Sequence, residues 1–568
     1  MKLHTLFGLC AVLLLPLFSC DDFLEIEPQE LLNSSDYMNT ENQAEMAVAS
    51  MYNLLRITSG NGPDGIYMDH HFEFFFGSTA SDDAEKGSTT SDLPNLTLIL
   101  TYSMNPTNSL VRGFYTHGWW AISRANYVLG HLEDATLPES LKNRMRGEAH
   151  FFKAYYYFYL LRHFGGMPIL EHSVELSEFG QIPRASYTET VNYIISEFRQ
   201  ALDLLPERSQ YAPADLGRAT KGAARAYLAR VMTYRLGIDP GTHETSWQDV
   251  YNYTSDIIHS GEYRLLANYA ELFDEYTNFC SESIFEVGAV AGSGGIQLGF
   301  WNVQASRSTP AAGTTANTGW GFNNPTQDLF DAFDPTDPRL SSTIYGIDYN
   351  NGTLFGITRP LLRSNQSTLY HARKVALDRR PSPGSGKTWM LMRYADVLLM
   401  HAEAAYMLNK EPEAREYLNQ VRQRARNSTY CKGYNLGDPT GYPEPEATPN
   451  LPDVTASGEA LLNAIWDERR LELATEDYRT YDLIRTGRLL ERVERVKDFQ
   501  RDPANPLFRE TGRGSSQAEV ESSREIRVPG IRANILRSSL PGKNGWPIPV
   551  MPLPETESTY WNIEPNPY

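Results

Sequence analysis

Two stretches of this 568-residue chain mix aromatic rings with short polar and charged side chains in the way a sugar site does. Trp301 and Trp320 lie among Gly, Ser, Thr and Asn, with Arg307, Asn323 and Asn324 close in sequence. Tyr67, His70, His71 and Phe72 precede GSTASDDAEKG, which contains Asp83. A flat ring covers the apolar C–H face of a sugar, while Asn, Asp and Arg take its hydroxyls. That mixture suits a glycan better than a buried, largely apolar small molecule. The candidate ligand-binding residues are therefore Trp301, Trp320, Tyr67, His71, Arg307, Asn323 and Asp83. The competing reading is that these rings pin their loops to a scaffold.

Other constellations fail on spacing. PSPGSGKTW (381–389) ends like a phosphate-binding loop, but Pro381 stands where that loop needs glycine, and the preceding ALDRR is no buried strand; it reads as a solvent loop. His70 and His71 are adjacent, so they point apart and cannot easily chelate one metal. AGSGG around Ser293 lacks the pattern of a nucleophile elbow. DERRLELATEDYRTYDLIRTG (467–487) places Glu468, Glu472 and Glu476 four apart, and paired carboxylates suggest a glycosidase. Arg469, Arg470, Arg479 and Arg485 are interleaved with them, however, and an arginine within helical reach holds a carboxylate ionised rather than poised as an acid. The segment reads as a structural ion-pair network. No catalytic residue, metal ligand or cofactor is assigned.

The elements that would position the loops are mostly helices. FFKAYYYFYLL (151–161) puts Phe151, Tyr155, Phe158 and Tyr159 on one helical face, with Phe152, Tyr156 and His163 beside them. A helix apolar over most of its circumference is buried on several sides, so these rings are scaffold. Further helical patterns occupy 40–56, 186–205, 217–236, 246–260, 389–409, 412–427 and 457–477, and helical patterning after the first loop region resumes near Gly118. HAEAAYMLNKEPEAREYLNQVRQRA and GRATKGAARAYLARVMTYRLG have a helix-turn-helix cadence similar to a tetratricopeptide unit, with small residues where helices stack. Residues 58–110 and 288–350 read as long loops, where sites usually sit. Strand content is expected to be minor.

Composition narrows the class. Apolar residues make up 41% of the chain, enough for a large core, and 33 Tyr suit half-buried surfaces. A net charge of −19 without a visible basic stripe argues against nucleic acid as a partner. The start, MKLHTLFGLCAVLLLPLFSC, has one Lys, an apolar run, then Ser19-Cys20, which is a secretory signal. LFSC resembles a bacterial lipobox, making Cys20 the expected lipidation site and the outer-membrane lipid anchor. Beyond the signal only Cys280 and Cys431 remain, and two cysteines so far apart leave their pairing open.

In order along the chain, these pieces resemble the SusD/RagB family of nutrient-binding outer-membrane lipoproteins of Bacteroidetes. The resemblance is carried by CDDFLEIEP, TASDDAEKG, WWAISRAN, GEAHFFKAYYYFYLLRHFGGMPIL and IPRASYTETVNYIISEF. It continues through GRATKGAARAYLARV, NNPTQDLFDAFDPTDPR, RYADVLLMHAEAAY and ERRLELATEDYRTYDLIRTG to the ending NIEPNPY. It implies a mostly α fold, a tetratricopeptide-like helix-pair scaffold with an irregular, loop-rich ligand lobe. The implied layout is a signal peptide (1–19), a lipid-anchored tether (20–39), an N-terminal helical region (40–275) and a C-terminal region (276–568). It further implies a surface-exposed protein that captures an oligosaccharide or polysaccharide without cleaving it and passes it to a SusC-like TonB-dependent transporter. The alternatives are a peptide or other nutrient as ligand of the same transporter type, or a surface glycoside hydrolase.

Overall fold

The computed structural model describes residues 38–56, 73–87, 93–290, 304, 321–346, 353–354, 357–358, 370–375, 386–430, 448–501 and 530–568. The N-terminal half is a run of helices: α1 (Glu41–Asn53), α2 (Glu73–Gly77), α3 (Pro94–Leu100), α4 (Ser109–Leu132), α5 (Glu139–Phe164), α6 (Tyr187–Leu204), α7 (Lys221–Ile238) and α8 (Trp247–His259). The C-terminal half adds α9 (Gln327–Ala332), α10 (Pro338–Thr343), α11 (Tyr394–Met407), α12 (Glu411–Arg426), α13 (Glu459–Leu473) and α14 (Arg479–Arg485). Side chains set several of the starts. Thr40 and Gln43 form a capping box on α1, as do Ser186 with Glu189 on α6 and Ser246 with Asp249 on α8, satisfying N–H groups the first turn leaves unpaired.

Successive helices stack. Helix α5 packs between α4 and α6, α7 packs on α6 and α8, and α11 joins α8, α12 and α13. The fold is thus the expected mostly α scaffold of helix pairs. The aromatic helix is its centre: Phe151, Phe152, Tyr156, Tyr157 and Phe158 are all buried. Phe151 meets Phe285 edge-on at 4.9 Å, and Tyr155 meets Tyr227 at 5.2 Å. The Tyr157 hydroxyl donates to the Pro168 carbonyl (3.1 Å) and accepts the Leu170 N–H (2.7 Å), so its one polar atom is satisfied inside the core. Each such ring contributes about 1.5–3 kcal/mol by leaving water.

Strands are short: β1 (Ala84–Glu85), β2 (Ser283–Val287), β3 (Asn324–Pro325), β4 (Ile344–Gly346), β5 (Tyr370–Ala372) and β6 (Trp389–Arg393). They pair antiparallel as β1 with β3, β2 with β6, and β4 with β5. A small separate core of Leu329, Phe333, Leu340, Ile344, Tyr370 and Ala474 serves this part.

Four expectations need correction. Residues 389–393 form strand β6, not the start of a helix, because they pair with β2 about a hundred residues earlier. The 58–110 region contains α2 and α3, and α4 begins at Ser109, before Gly118, where Asn108 accepts the Leu110 and Val111 N–H groups. Within 288–350, α9 and α10 are helical. The end of the 381–389 segment is also not solvated: Lys387 and Thr388 are buried, the Lys387 ammonium donating to the Lys374 carbonyl at 2.6 Å.

Candidate functional site

A cleft of about 260 Å³ opens where the C-terminal end of α1, the 214–218 segment and the end of β2 meet. Tyr52, Leu55, Arg56, Leu216, Arg218 and Val287 are among its lining residues. Two stretches outside the described residues adjoin it in sequence: residue 57 follows Arg56, and residue 291 follows Val290, two positions beyond the lining Gly288. Gly217 makes the narrow wall possible. Its φ is +100°, and a Cβ there would lie 2.8 Å from the Phe279 ring.

The polar groups of this cleft are mostly spoken for. The Tyr52 hydroxyl donates to Glu148 (2.9 Å) and accepts the Ala219 N–H (2.8 Å). Arg218 is saturated: Nε donates to Asp215 (2.8 Å), one terminal nitrogen to Glu148 (3.1 Å) and the other to Glu45 (2.9 Å). Glu286 accepts the Phe279 N–H at 3.0 Å and the Thr388 hydroxyl, and burial pushes its carboxyl up. Arg56 differs. Its Nε is buried without a hydrogen-bond partner, and among the described residues no carboxylate pairs with it. Burial lowers its guanidinium from the ordinary value, with no neighbouring charge to offset that.

A second constellation fixes the TASDDAEKG segment. Asp82 receives Arg479 through two bonds (2.6 and 2.7 Å), and Arg470 bridges Asp83 and Asp328, both at 2.7 Å. Burial would raise Asp82, but Arg470 and Arg479 overcome it and hold its carboxyl well below the usual range. Asp83 goes the other way: burial and the neighbouring Asp82 charge raise it despite Arg470. Strand β1 then pairs with β3, and the Asn323 amide nitrogen donates to Gln304 at 2.7 Å.

Of the sequence-predicted ligand residues, the structure thus describes two, and neither faces solvent. Asp83 and Asn323 are each 1% exposed, so they do not meet a sugar in the expected way. One polar atom of each is committed inside the fold, Asp83 Oδ1 to Arg470 and Asn323 Nδ2 to Gln304, while Asp83 Oδ2 and Asn323 Oδ1 are buried without a hydrogen-bond partner. Tyr67, His71, Trp301, Arg307 and Trp320 lie outside the described residues, as do the lipidation candidate Cys20 and Cys431. Sequence reasoning missed Tyr52, Arg56 and the 214–218 wall. The one available signal was Arg56 at the end of the 40–56 helical pattern, directly before a Gly-rich stretch of sequence.

The charge-dense helix is an ion-pair network, as expected, but its partners come from other elements. Glu472 receives Arg393 (2.6 Å), Arg339 (3.1 Å) and Arg424, while Glu468 receives Arg339 and Arg422, each at 2.6 Å. Burial would raise Glu472; Arg424, Arg393 and Arg339 prevail and hold it far below the usual range. A carboxylate so held cannot donate a proton to a glycosidic oxygen near neutral pH. Among the described residues no cluster of three His, Cys, Asp or Glu is arranged to hold a metal, and no helix is long and apolar enough to cross a membrane.

The helix-pair scaffold fits the family resemblance carried by the sequence, and comparison with known proteins shows the family. The SusD family model matches residues 281–505, and the model described as "Starch-binding associating with outer membrane" matches residues 22–233. The chain belongs to the SusD/RagB family. A SusD-like protein of Formosa agariphila is 25% identical over 521 residues, covering 84% of this chain and 89% of that one. The starch-binding protein SusD of Bacteroides thetaiotaomicron is 32% identical over 202 residues, covering 34% of this chain and 33% of that one. Among solved structures, a laminarin-binding SusD-like protein superposes with a TM-score of 0.67 at 24% identity, covering 93% of this chain and 99% of that one. Surface glycan-binding protein A of Bacteroides thetaiotaomicron, in complex with laminarihexaose, superposes with a TM-score of 0.64 at 18% identity, covering 93% and 100%. At these identities the structural likeness is one of fold.

Proposed function

We propose that this protein is a non-catalytic, cell-surface glycan-binding lipoprotein, anchored in the outer membrane through Cys20, that hands its ligand to a SusC-like TonB-dependent transporter. The observation that carries the reading is the cleft beside Arg56 and Gly288, next in sequence to the two regions that hold Tyr67, His71, Trp301, Arg307 and Trp320. Rings from those regions stack on sugar faces, and the polar side chains among them take hydroxyls. Relatives named for starch and laminarin binding support a saccharide as the ligand class. The arginine-bound state of Glu468 and Glu472 speaks against the hydrolase alternative. Asp83 and Asn323 act in this scheme by holding the lobe in place.

The test is binding of the lipid-free chain (residues 21–568) to a polysaccharide panel, by affinity gel and then calorimetry. We expect one glycan class to bind and to be recovered uncleaved. Trp301→Ala or Trp320→Ala is expected to weaken that binding by about tenfold or more, as loss of a stacking ring does, with the melting temperature held. Full affinity in both variants would remove those two tryptophans from the site. Cleavage of the bound glycan would overturn the non-catalytic reading.

A further inference from the structure

Arg56 is the one charged group lining the cleft whose side chain has no partner among the described residues. Asp215 is taken by Arg218, Arg218 is filled by Asp215, Glu148 and Glu45, and Glu286 is held by Phe279 and Thr388. A second cation lies along α1: the Arg124 guanidinium donates to the Ser50 carbonyl (2.5 Å), six residues before Arg56 in sequence, and no carboxylate pairs with it among the described residues. His117 nearby is held neutral by burial and by Arg124. The carboxylates Asp215, Glu148 and Glu45 are each matched by Arg218 or Arg144, so Arg56 is left, among the described residues, as the unmatched charge of the cleft. Taking a guanidinium partly out of water without a counter-charge is unfavourable unless something supplies one. The same cleft has an apolar wall of Ala49, Leu55, Ala214, Leu216 and Val287. At about 260 Å³ it is smaller than the ~300 Å³ lower end of drug-sized sites and suits one sugar residue.

We propose that this cleft binds an acidic saccharide: Arg56 takes the anionic group of one sugar, a carboxylate or a sulfate ester, while the apolar wall covers its C–H face. The proposal rests on the glycan-capture reading above and names its ligand class. The guanidinium fork matches the paired oxygens of either group, and a charge-assisted contact of this kind is roughly twice as strong as a neutral one. Tyr52 and Arg218 form the cleft's fixed frame, because their polar atoms are bound within the fold.

The experiment is calorimetry on the lipid-free chain with three oligosaccharide series: oligogalacturonides for carboxylate, carrageenan oligosaccharides for sulfate, and laminari-oligosaccharides as neutral sugars. At least one acidic series is expected to bind more tightly than the neutral one, and which acidic series binds identifies the anionic group. Arg56→Gln is expected to weaken the acidic series by about ten- to a hundredfold and the neutral series by less, with Arg56→Lys between wild type and Arg56→Gln. A neutral series that binds while both acidic series fail overturns the proposal and leaves glycan capture standing. So does acidic binding that Arg56→Gln leaves intact. Failure of all three series overturns both. The wild-type preference between series is read without any variant, so a poorly folding Arg56→Gln does not blunt the test.

Discussion

Glu472 shows how far a single residue's environment can depart from what its neighbours in sequence suggest. From sequence, its arginine partners would sit one turn away on its own helix. In the structure they arrive from α10, β6 and α12 as Arg339, Arg393 and Arg424. The charge pattern was legible; the partners were not, because the pairing is between elements. The same holds for Asp83, whose loop composition suggests an exposed ligand group and whose burial comes from Arg470 nearly four hundred residues later. Arg56 is the converse. Having no partner is a property of three-dimensional surroundings and leaves no mark in sequence. Removing Glu472 leaves three buried guanidinium groups facing one another. Glu472→Ala is therefore expected to destabilise the fold by about 3–5 kcal/mol, the cost of breaking a buried charge network from one side. Chemical denaturation at pH 7 measures this, and a loss under about 1 kcal/mol would mean that water or rearranged partners replace the carboxylate.

At the scale of elements, the amphipathic and capped helices were readable because local chemistry specifies them. Ser186 with Glu189 and Ser246 with Asp249 mark starts that the structure reproduces within a residue or two. Strand β6 was misread for the opposite reason. WMLMR is a short apolar run continuous with YADVLLM, and its identity is decided by pairing with distant β2, not by its own period. How closely helices approach is another property that sequence leaves open. Two glycines separate the possibilities. Gly237 on α7 lies against α14, and a Cβ there would fall 2.3 Å from the Arg485 carbonyl oxygen, which is backbone and cannot swing away. Gly130 on α4 has nothing within 4 Å of its would-be Cβ. Gly237→Ala is expected to destabilise by about 1–3 kcal/mol through forced separation of the helices. Gly130→Ala is expected to stabilise by about 0.5–1 kcal/mol, since alanine is the better helix former. Thermal melts of the two variants side by side test the distinction, and equal shifts would show that the α7–α14 approach is not tight.

The whole molecule's response to pH follows from two opposed sets of buried carboxyls. Asp82, Asp396 and Glu472 are depressed, because arginines overcome the burial that would raise them. Their contribution to stability is present above the unfolded carboxyl value of about 4 and is lost as pH falls below it. Glu148 and Asp477 are raised, burial being the largest cause in both. For these the sign reverses: their contribution is full below about pH 4 and is lost as pH rises towards the folded value. Asp477 isolates the second behaviour. Its carboxyl accepts from the Ser78 hydroxyl at 2.9 Å, and the nearby charges acting on it are the like charges of Glu73 and Glu476. Its backbone is left-handed at φ +69°, a conformation that asparagine tolerates well. Asp477→Asn keeps the size and the acceptor while removing the charge. The variant is expected to match wild type near pH 4 and to exceed it by on the order of 1 kcal/mol or more at pH 8, one pKa unit being about 1.4 kcal/mol. Denaturant unfolding of both proteins from pH 4 to 8 reads the gap directly. A gap that stays constant with pH would mean that Asp477 is charged throughout and that a cation reaches it; a gap that widens would show the protein keeping a neutral carboxyl at the junction between the TASDD segment and α14.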